Sequence, residues 1–149
     1  MLLNDTMYDM NKIGFVVLTL AVIGTVMAPL PTLGQPVECL NEVATIVGTH
    51  GDDILDGTDG DDVIHGLGGN DVINGKEGND IICGGDGDDR IRGGMGDDVI
   101  YGSDGNDTLF GLQGNDKMYG GPDEDKMYGG IGNDRLSGGA DNDELFGGM

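Results

Sequence analysis

The chain has little of what ordinary globular cores and nucleic-acid-binding surfaces are made from. Its 149 residues include no Trp, 3 Phe and 4 Tyr, and only 7 Lys or Arg stand against 28 Asp or Glu, giving a net charge of −21. Phosphate backbones require a basic surface, so nucleic acid is excluded as a partner. No HExxH, GxSxG or P-loop motif occurs, and no nucleophile has a base near it in sequence. We therefore expect that the chain is not an enzyme.

The N-terminal residues have the composition of an export signal. An apolar run from Ile13 to Leu30 follows a single Lys12 and precedes small residues. This order is typical of a cleaved secretory signal peptide, which we place at residues 1–34; a start at Met10 would give a more typical leader. The alternative is an uncleaved membrane anchor, since the run is at the lower limit of a membrane span. The prediction is an extracellular protein with no stable membrane span after cleavage.

Only two cysteines are present, Cys39 and Cys83, and their spacing fits no CxxC metal or redox pattern. Beside an export signal they predict one disulfide, which would tie the segment before the repeats to the fourth repeat. Two free thiols or an intermolecular bridge are the alternatives, because sequence does not show proximity.

What the chain has in abundance is a nine-residue repeat. Eleven copies open at Gly48, Gly57, Gly66, Gly75, Gly84, Gly93, Gly102, Gly111, Gly120, Gly129 and Gly138. Position 6 is always Asp, position 4 is Gly in nine copies, and position 8 is always Leu, Ile or Met. A period held this long indicates a solenoid.

Each copy predicts a turn followed by a short strand. Gly at positions 1 and 4 tolerates positive φ, and the Asn or Asp at position 5 of ten copies enters the left-handed region most readily of the other residues. Positions 7–9 then form a three-residue strand with position 8 pointing inward. One inward side chain in nine is too thin a core to offset the backbone entropy lost on folding.

The residues that remain to stabilise the fold are the aspartates. Hard cations such as Ca²⁺ take six to eight oxygen ligands from carboxylates and backbone carbonyls. If two turns close one coil, Asp residues 18 apart stack on the same edge, and strands about 4.8 Å apart leave room for a cation between them. The repeats carry 24 acidic and 6 basic residues, a net charge of −18. Without cations they should repel one another and stay expanded.

The cleanest copies, GGDGDDRIR from Gly84 and GGMGDDVIY from Gly93, resemble the RTX, or haemolysin-type calcium-binding, family. The resemblance implies an all-β fold, a right-handed parallel β-roll of nine-residue repeats with two repeats in each 18-residue coil and Ca²⁺ along both edges. It also implies that one turn supplies the carbonyls of positions 2 and 4 and its Asp. The turn two repeats further on supplies the carbonyls of positions 1 and 3 and its own Asp. Six turns on one edge and five on the other then hold up to nine ions.

Carried over by position, the side-chain ligands are Asp53, Asp62, Asp71, Asp80, Asp89, Asp98, Asp107, Asp116, Asp125, Asp134 and Asp143. The expected backbone ligands include Gly57, Gly60, Gly66, Gly69, Gly75, Gly78, Gly84, Gly87, Gly93, Gly96, Gly102, Gly105, Gly111 and Gly114. Asp123 and Asp141 replace Gly at position 4 and leave the sites of the ninth and eleventh turns open to question.

Residues 35–47 are predicted to be a linker and cap, with Thr45, Ile46 and Val47 in the strand slots of a worn copy, and residues 48–149 to be the roll. Late aromatic residues at position 9 predict stacked ladders or, alternatively, a partner-binding strip. The last residues begin a twelfth unit without a cap, so truncation, fraying or end-to-end self-association are alternatives.

Two functions fit these features. The first is a secreted calcium-binding repeat protein that folds on meeting extracellular Ca²⁺ and has a structural or surface-interaction role. The alternative is a fragment or accessory piece of a larger secreted RTX effector, such as a cytolysin, protease or lipase.

Overall fold

The computed structural model describes residues 38–149, all of them in strands and turns. The predicted signal peptide at 1–34 and the first residues of the predicted linker lie outside this range. The strands are β1 (Glu38–Cys39), β2 (Glu42–Val43), β3 (Ile46–Val47), β4 (Ile54–Asp56), β5 (Val63–Gly68), β6 (Val72–Glu77), β7 (Ile81–Asp86), β8 (Arg90–Met95), β9 (Val99–Asp104), β10 (Thr108–Gln113), β11 (Lys117–Gly121), β12 (Lys126–Ile131), β13 (Arg135–Gly139) and β14 (Glu144–Gly148).

From β3 onward, successive strands alternate between two six-stranded sheets. One sheet has the order β14-β12-β10-β8-β6-β4 and the other β13-β11-β9-β7-β5-β3. All neighbouring strands in these sheets are parallel and lie two repeats apart in sequence, as Ile64 opposite Ile82 illustrates. Each coil is therefore two repeats, one strand in each sheet. This confirms the predicted all-β parallel solenoid with an 18-residue coil.

The core is the single column of position-8 side chains between the two sheets. Eight of them are fully buried at 0% exposure: Ile64, Ile73, Ile82, Ile91, Ile100, Leu109, Met118 and Met127. Ile46, Leu55 and Leu136 are partly buried and pack against the column. Leu145, in the last strand, is 47% exposed. The predicted column is thus present, and Ile46, from the degenerate repeat copy in the predicted cap, packs against its N-terminal end.

The strands are longer than the sequence predicted. From β5 to β14 they have five or six residues and not three, because the hydrogen-bonded ladder continues from positions 7–9 into positions 1–3 of the next repeat. Leu67 opposite Gly85 is one such pair beyond the expected strand end. Parallel stacking at an 18-residue spacing lets these residues pair as regularly as those before them. The turn shrinks to positions 4–6.

The N-terminal segment before the repeats folds back as a β-hairpin. Strands β1 and β2 pair antiparallel, and the two residues between them, Leu40 and Asn41, have φ of 57° and 70°. Positive φ at both central residues is the conformation that suits a two-residue hairpin turn. The hairpin carries Cys39, whose disulfide with Cys83 joins Cα atoms 5.9 Å apart. The predicted pairing to the fourth repeat is confirmed.

The outer faces of the sheets carry stacked aromatic rings. Tyr101 and Tyr119 stack at 4.5 Å on one sheet. On the other sheet Tyr128 stacks between Phe110 and Phe146, at 5.0 Å and 4.9 Å. The predicted ladders are confirmed, and the ring faces are largely turned to one another. No helix long and apolar enough to cross a membrane occurs among residues 38–149.

Candidate calcium sites

The position-6 aspartates form two columns, one along each edge of the roll. Eight are buried: Asp62, Asp71, Asp80, Asp89, Asp98, Asp107, Asp116 and Asp125. Each coil is joined to the next through them, because the backbone N–H of one Asp donates to Oδ1 of the Asp two repeats further on. The bond from Asp80 to Asp98, at 2.9 Å, is typical. Such bonds of 2.8–3.0 Å link all nine predicted pairs.

From the third repeat to the tenth, the second carboxylate oxygen of the position-6 aspartate has no protein partner. Within the described residues, Oδ2 is buried and accepts no hydrogen bond in Asp71, Asp80, Asp89, Asp98, Asp107, Asp116, Asp125 and Asp134. Burying a carboxylate oxygen without a compensating interaction costs several kcal/mol. A column of such atoms at an 18-residue spacing fits a cation between consecutive coils.

The same burial changes the acidity of the column. Desolvation, opposed by the backbone hydrogen bond and assisted by neighbouring aspartates, raises the pKa of Asp98 to about 7 and that of Asp107 to about 8. The pKa values of Asp89 and Asp125 rise to about 6 for the same first reason. Carboxylates whose charged form is disfavoured in this way are stabilised when a cation replaces the proton.

Position 1 is glycine because the space beside it is filled by carboxylate and carbonyl oxygens. A Cβ at Gly66 would overlap both Oδ2 of Asp71 and the carbonyl oxygen of Gly84. The same two kinds of oxygen converge on Gly75, Gly84, Gly102, Gly111, Gly120 and Gly129. These glycines do not have positive φ. The expected conformational role at position 1 is therefore wrong, and the requirement is steric.

The residues at positions 2 and 4 have positive φ, which orients their own carbonyl groups toward the next coil. From the third repeat on, both positions are left-handed, as at Leu67 (φ 83°) and Gly69 (φ 102°). The carbonyl oxygens of these two residues approach Gly85 and Gly87 of the next coil. A carbonyl of the later coil contacts the earlier one: the position-3 carbonyl oxygen of Asp86 accepts a hydrogen bond from the N–H of Gly69 at 2.8 Å.

The predicted ligand set takes the carbonyls of positions 2 and 4 and the Asp of position 6 from one coil, and the carbonyls of positions 1 and 3 and the Asp of position 6 from the next. Six oxygens lie within the range that Ca²⁺ takes. Across residues 38–149 no three His, Cys, Asp or Glu side chains cluster as a metal site. Backbone carbonyls supply the larger share of each predicted set.

Position 5 differs from the prediction. Its Asn and Asp residues are not left-handed. Their side chains form an exposed ladder in which Oδ1 accepts the backbone N–H of the residue 18 positions on, as from Asn79 to Asp61 at 2.7 Å. The preference for Asn and Asp here therefore follows from inter-coil hydrogen bonding and not from local backbone conformation.

Two pairs of turns depart from this arrangement. Asp123 and Asp141, at position 4, adopt φ of 75° and 69° and so keep the same backbone as the glycine-containing turns, at some cost in strain. In the first two repeats, Oδ2 of Asp53 and of Asp62 accepts hydrogen bonds from the Thr at position 2.

Fold and site together define a class: a parallel β-solenoid whose coil edges carry columns of carboxylate and carbonyl oxygens, which are the ligands that a hard cation takes. The sequence pattern of the RTX calcium-binding nonapeptide repeat, in four-copy units, matches residues 47–82, 84–118 and 119–149. The chain belongs to this family and is a calcium-binding repeat protein.

A solved structure that resembles the chain is the solution structure of the AlgE6R3 subunit from the Azotobacter vinelandii mannuronan C5-epimerase. The identity is 32% over 50% of this chain and 49% of that chain, with a TM-score of 0.42. This chain therefore spans about half the length of that subunit. No curated protein matches the sequence.

Proposed function

We propose that this is a secreted protein whose roll folds as it binds extracellular Ca²⁺, giving a rigid element with a structural or surface-interaction role. The observation that carries the proposal is the pair of buried carboxylate columns. Eight Oδ2 atoms within them have no hydrogen-bond partner among the described residues. Without a bound cation, the carboxylates in these columns repel one another and oppose folding. A cation between each pair attracts both carboxylates and offsets their repulsion.

The small core supports the coupling of folding to binding. The eight fully buried side chains are spread over five coils in one column. Hydrophobic burial on this scale leaves much of the conformational entropy of the glycine-rich backbone uncompensated. Ion binding that occurs only in the folded state adds its free energy to folding at every site.

The ligand chemistry favours Ca²⁺ over Mg²⁺. The candidate oxygens are mostly carbonyls held by the backbone, and Ca²⁺ accepts six to eight such ligands in irregular geometry. Mg²⁺ demands compact octahedral geometry and gives up its water reluctantly. Extracellular calcium, at millimolar concentration, would be the trigger.

Secretion is supported by the leader-like sequence and by the disulfide between Cys39 and Cys83, since disulfides persist in oxidising compartments. The proposal assigns no catalytic role to the chain. A place within a larger secreted effector and end-to-end self-association both stay predictions.

A calcium titration of the chelator-treated full chain, followed by far-ultraviolet circular dichroism, tests the proposal. We expect a disordered spectrum in chelator, a cooperative change to a β spectrum in millimolar Ca²⁺, and no such change with Mg²⁺. Two substitutions in one repeat give a matched comparison: Asp107→Ala removes a buried column residue, whereas Asp104→Ala removes an exposed one. Only the first should raise the calcium midpoint. A full β spectrum in excess chelator at neutral pH would contradict the proposal.

A further inference from the structure

The turns of the roll have two different backbone conformations. From the third to the eleventh repeat, position 2 and position 4 both have positive φ. In the first two repeats neither position does: Thr49 and Gly51 in one, Thr58 and Gly60 in the other. These two turns have a coil stacked on their C-terminal side, which is the side on which each of their predicted sites lies.

Hydrogen bonds from the threonine close each of these two turns. The backbone N–H and the hydroxyl of Thr49 both donate to Oδ2 of Asp53, at 2.6 Å and 2.9 Å. The N–H of Gly51 donates to the same hydroxyl at 3.2 Å. Thr58 makes the same three contacts at the same distances with its own repeat. The carboxylate oxygen that has no partner in later coils is therefore satisfied here by the protein.

The carbonyls of the first turn are also directed differently. The carbonyl oxygen of Thr49 accepts the N–H of Gly68 at 3.3 Å. A Cβ at Gly69 would meet the carbonyl carbon of Gly51 first, whereas a Cβ at Gly87 would meet the carbonyl oxygen of Gly69. The position-4 oxygen of the first turn is thus rotated relative to that of later turns. In the first turn, therefore, the position-2 carbonyl accepts an inter-coil hydrogen bond and the position-4 carbonyl does not take the direction that it has in later turns.

Threonine at position 2 accounts for both effects. Its branched Cβ strongly disfavours positive φ, while its hydroxyl reaches the carboxylate. Residues that are not branched at Cβ do become left-handed at the same position: Leu67, Lys76, Ser103 and Leu112 have φ between 83° and 89°.

We propose that Thr49 and Thr58 exclude calcium from the first two predicted sites, the pairs Asp53–Asp71 and Asp62–Asp80. Of the nine pairs, seven then hold an ion, and the first coil is completed by protein hydrogen bonds alone. This inference rests on the proposed function, since it concerns which of the family's sites are used.

The number of ions bound by the full chain tests the proposal directly, and native mass spectrometry at saturating Ca²⁺ reports it. The double variant Thr49→Gly/Thr58→Gly introduces the residue type that later repeats carry at position 2 as Gly85 and Gly94, both of which are left-handed. It should bind two more ions than the natural sequence. Ser103→Gly is the matched control, because that position is already left-handed and its substitution should leave the count unchanged.

Equal counts for the natural chain and the double variant, with both giving the same β spectrum, would overturn the proposal. Nine ions on the natural chain would also overturn it. If the double variant does not fold, Thr58→Gly alone should add one ion, and no gain there counts equally against the proposal. A natural chain that binds no calcium would instead refute the proposed function.

Discussion

Removal of Asp98 should disrupt the roll more than removal of any terminal aspartate. This side chain is 1% exposed and stands in the middle of its column. Its Oδ1 accepts the N–H of Asp80 at 2.9 Å, and its own N–H donates to Oδ1 of Asp116 at 2.9 Å. The residue therefore belongs to two predicted calcium sites and joins three successive coils. Asp98→Ala should weaken both sites at once.

The size of the effect follows from ligand linkage. At a calcium concentration ten times the dissociation constant, each site contributes about 1.4 kcal/mol to folding, so losing two costs about 3 kcal/mol. The buried N–H of Asp80, left without an acceptor, adds about 1–3 kcal/mol. If about five remaining sites make up this deficit, the calcium midpoint rises by about four- to eightfold. Cooperativity should also fall, because the break separates the coils on either side.

Asp143→Ala is the matched comparison. Asp143 is only partly buried and accepts one inter-coil hydrogen bond, from Asp125 at 3.0 Å. The strand that follows it, β14, is exposed along its whole length. Its loss removes one site from a coil that contributes little, so the midpoint should move by less than about twofold. Both variants need only a calcium titration by circular dichroism. Equal shifts would show that the 18-residue pairing of the aspartates is wrong.

Three further outcomes are expected. Burial raises the pKa of Asp107 to about 8, so protonation of this side chain should stabilise the metal-free roll at low pH. This stabilisation should be lost as the pH rises through about 8. A β signal in chelator that grows between about pH 5 and pH 9 would contradict the predicted direction of the pH dependence. Replacing Cys39 and Cys83 together by Ser should lower the free energy of unfolding in Ca²⁺ by about 2–4 kcal/mol, measured by denaturant titration, and an unchanged midpoint would show that the bridge does not stabilise the roll. Gly66→Ala places a Cβ against a ligand carboxylate and should raise the calcium midpoint, whereas Gly51→Ala, whose added Cβ would have its nearest neighbour 3.9 Å away, should not; equal midpoints would refute the steric role of position 1.

The repeat made the overall architecture predictable. The nine-residue period predicted a coil of two repeats, and the Leu, Ile or Met at position 8 of every copy predicted the buried column from Ile64 to Met127. The strand formed by Ile46 and Val47 could be inferred by aligning the chain with the nine-residue period. The Cys39–Cys83 pairing was inferred from the presence of only two cysteines beside an export signal.

Features set by contacts between coils were harder to anticipate. Glycine at position 1 suggested backbone freedom, yet at Gly66 it is required by oxygens from its own coil and from the next one. Asn79 and its equivalents suggested left-handed turns, but they form ladders with residues 18 positions away. A single repeat does not reveal such contacts. The threonines carried a readable signal, since Thr49 and Thr58 alone place a β-branched residue at position 2.

The two ends of the roll differ in a way that gives folding a direction. At the N-terminal end, Thr49 satisfies the first carboxylate without metal and the disulfide holds the hairpin of β1 and β2 against the fourth repeat. At the other end, β14 is exposed and Leu145 is only half covered. In a linear array each coil is stabilised by its neighbours, so structure spreads from whichever coil is most stable alone. The first coil needs no ion and offers a formed edge to the third and fourth repeats. Calcium-dependent order would then extend from this end, one coil and one pair of ions at a time.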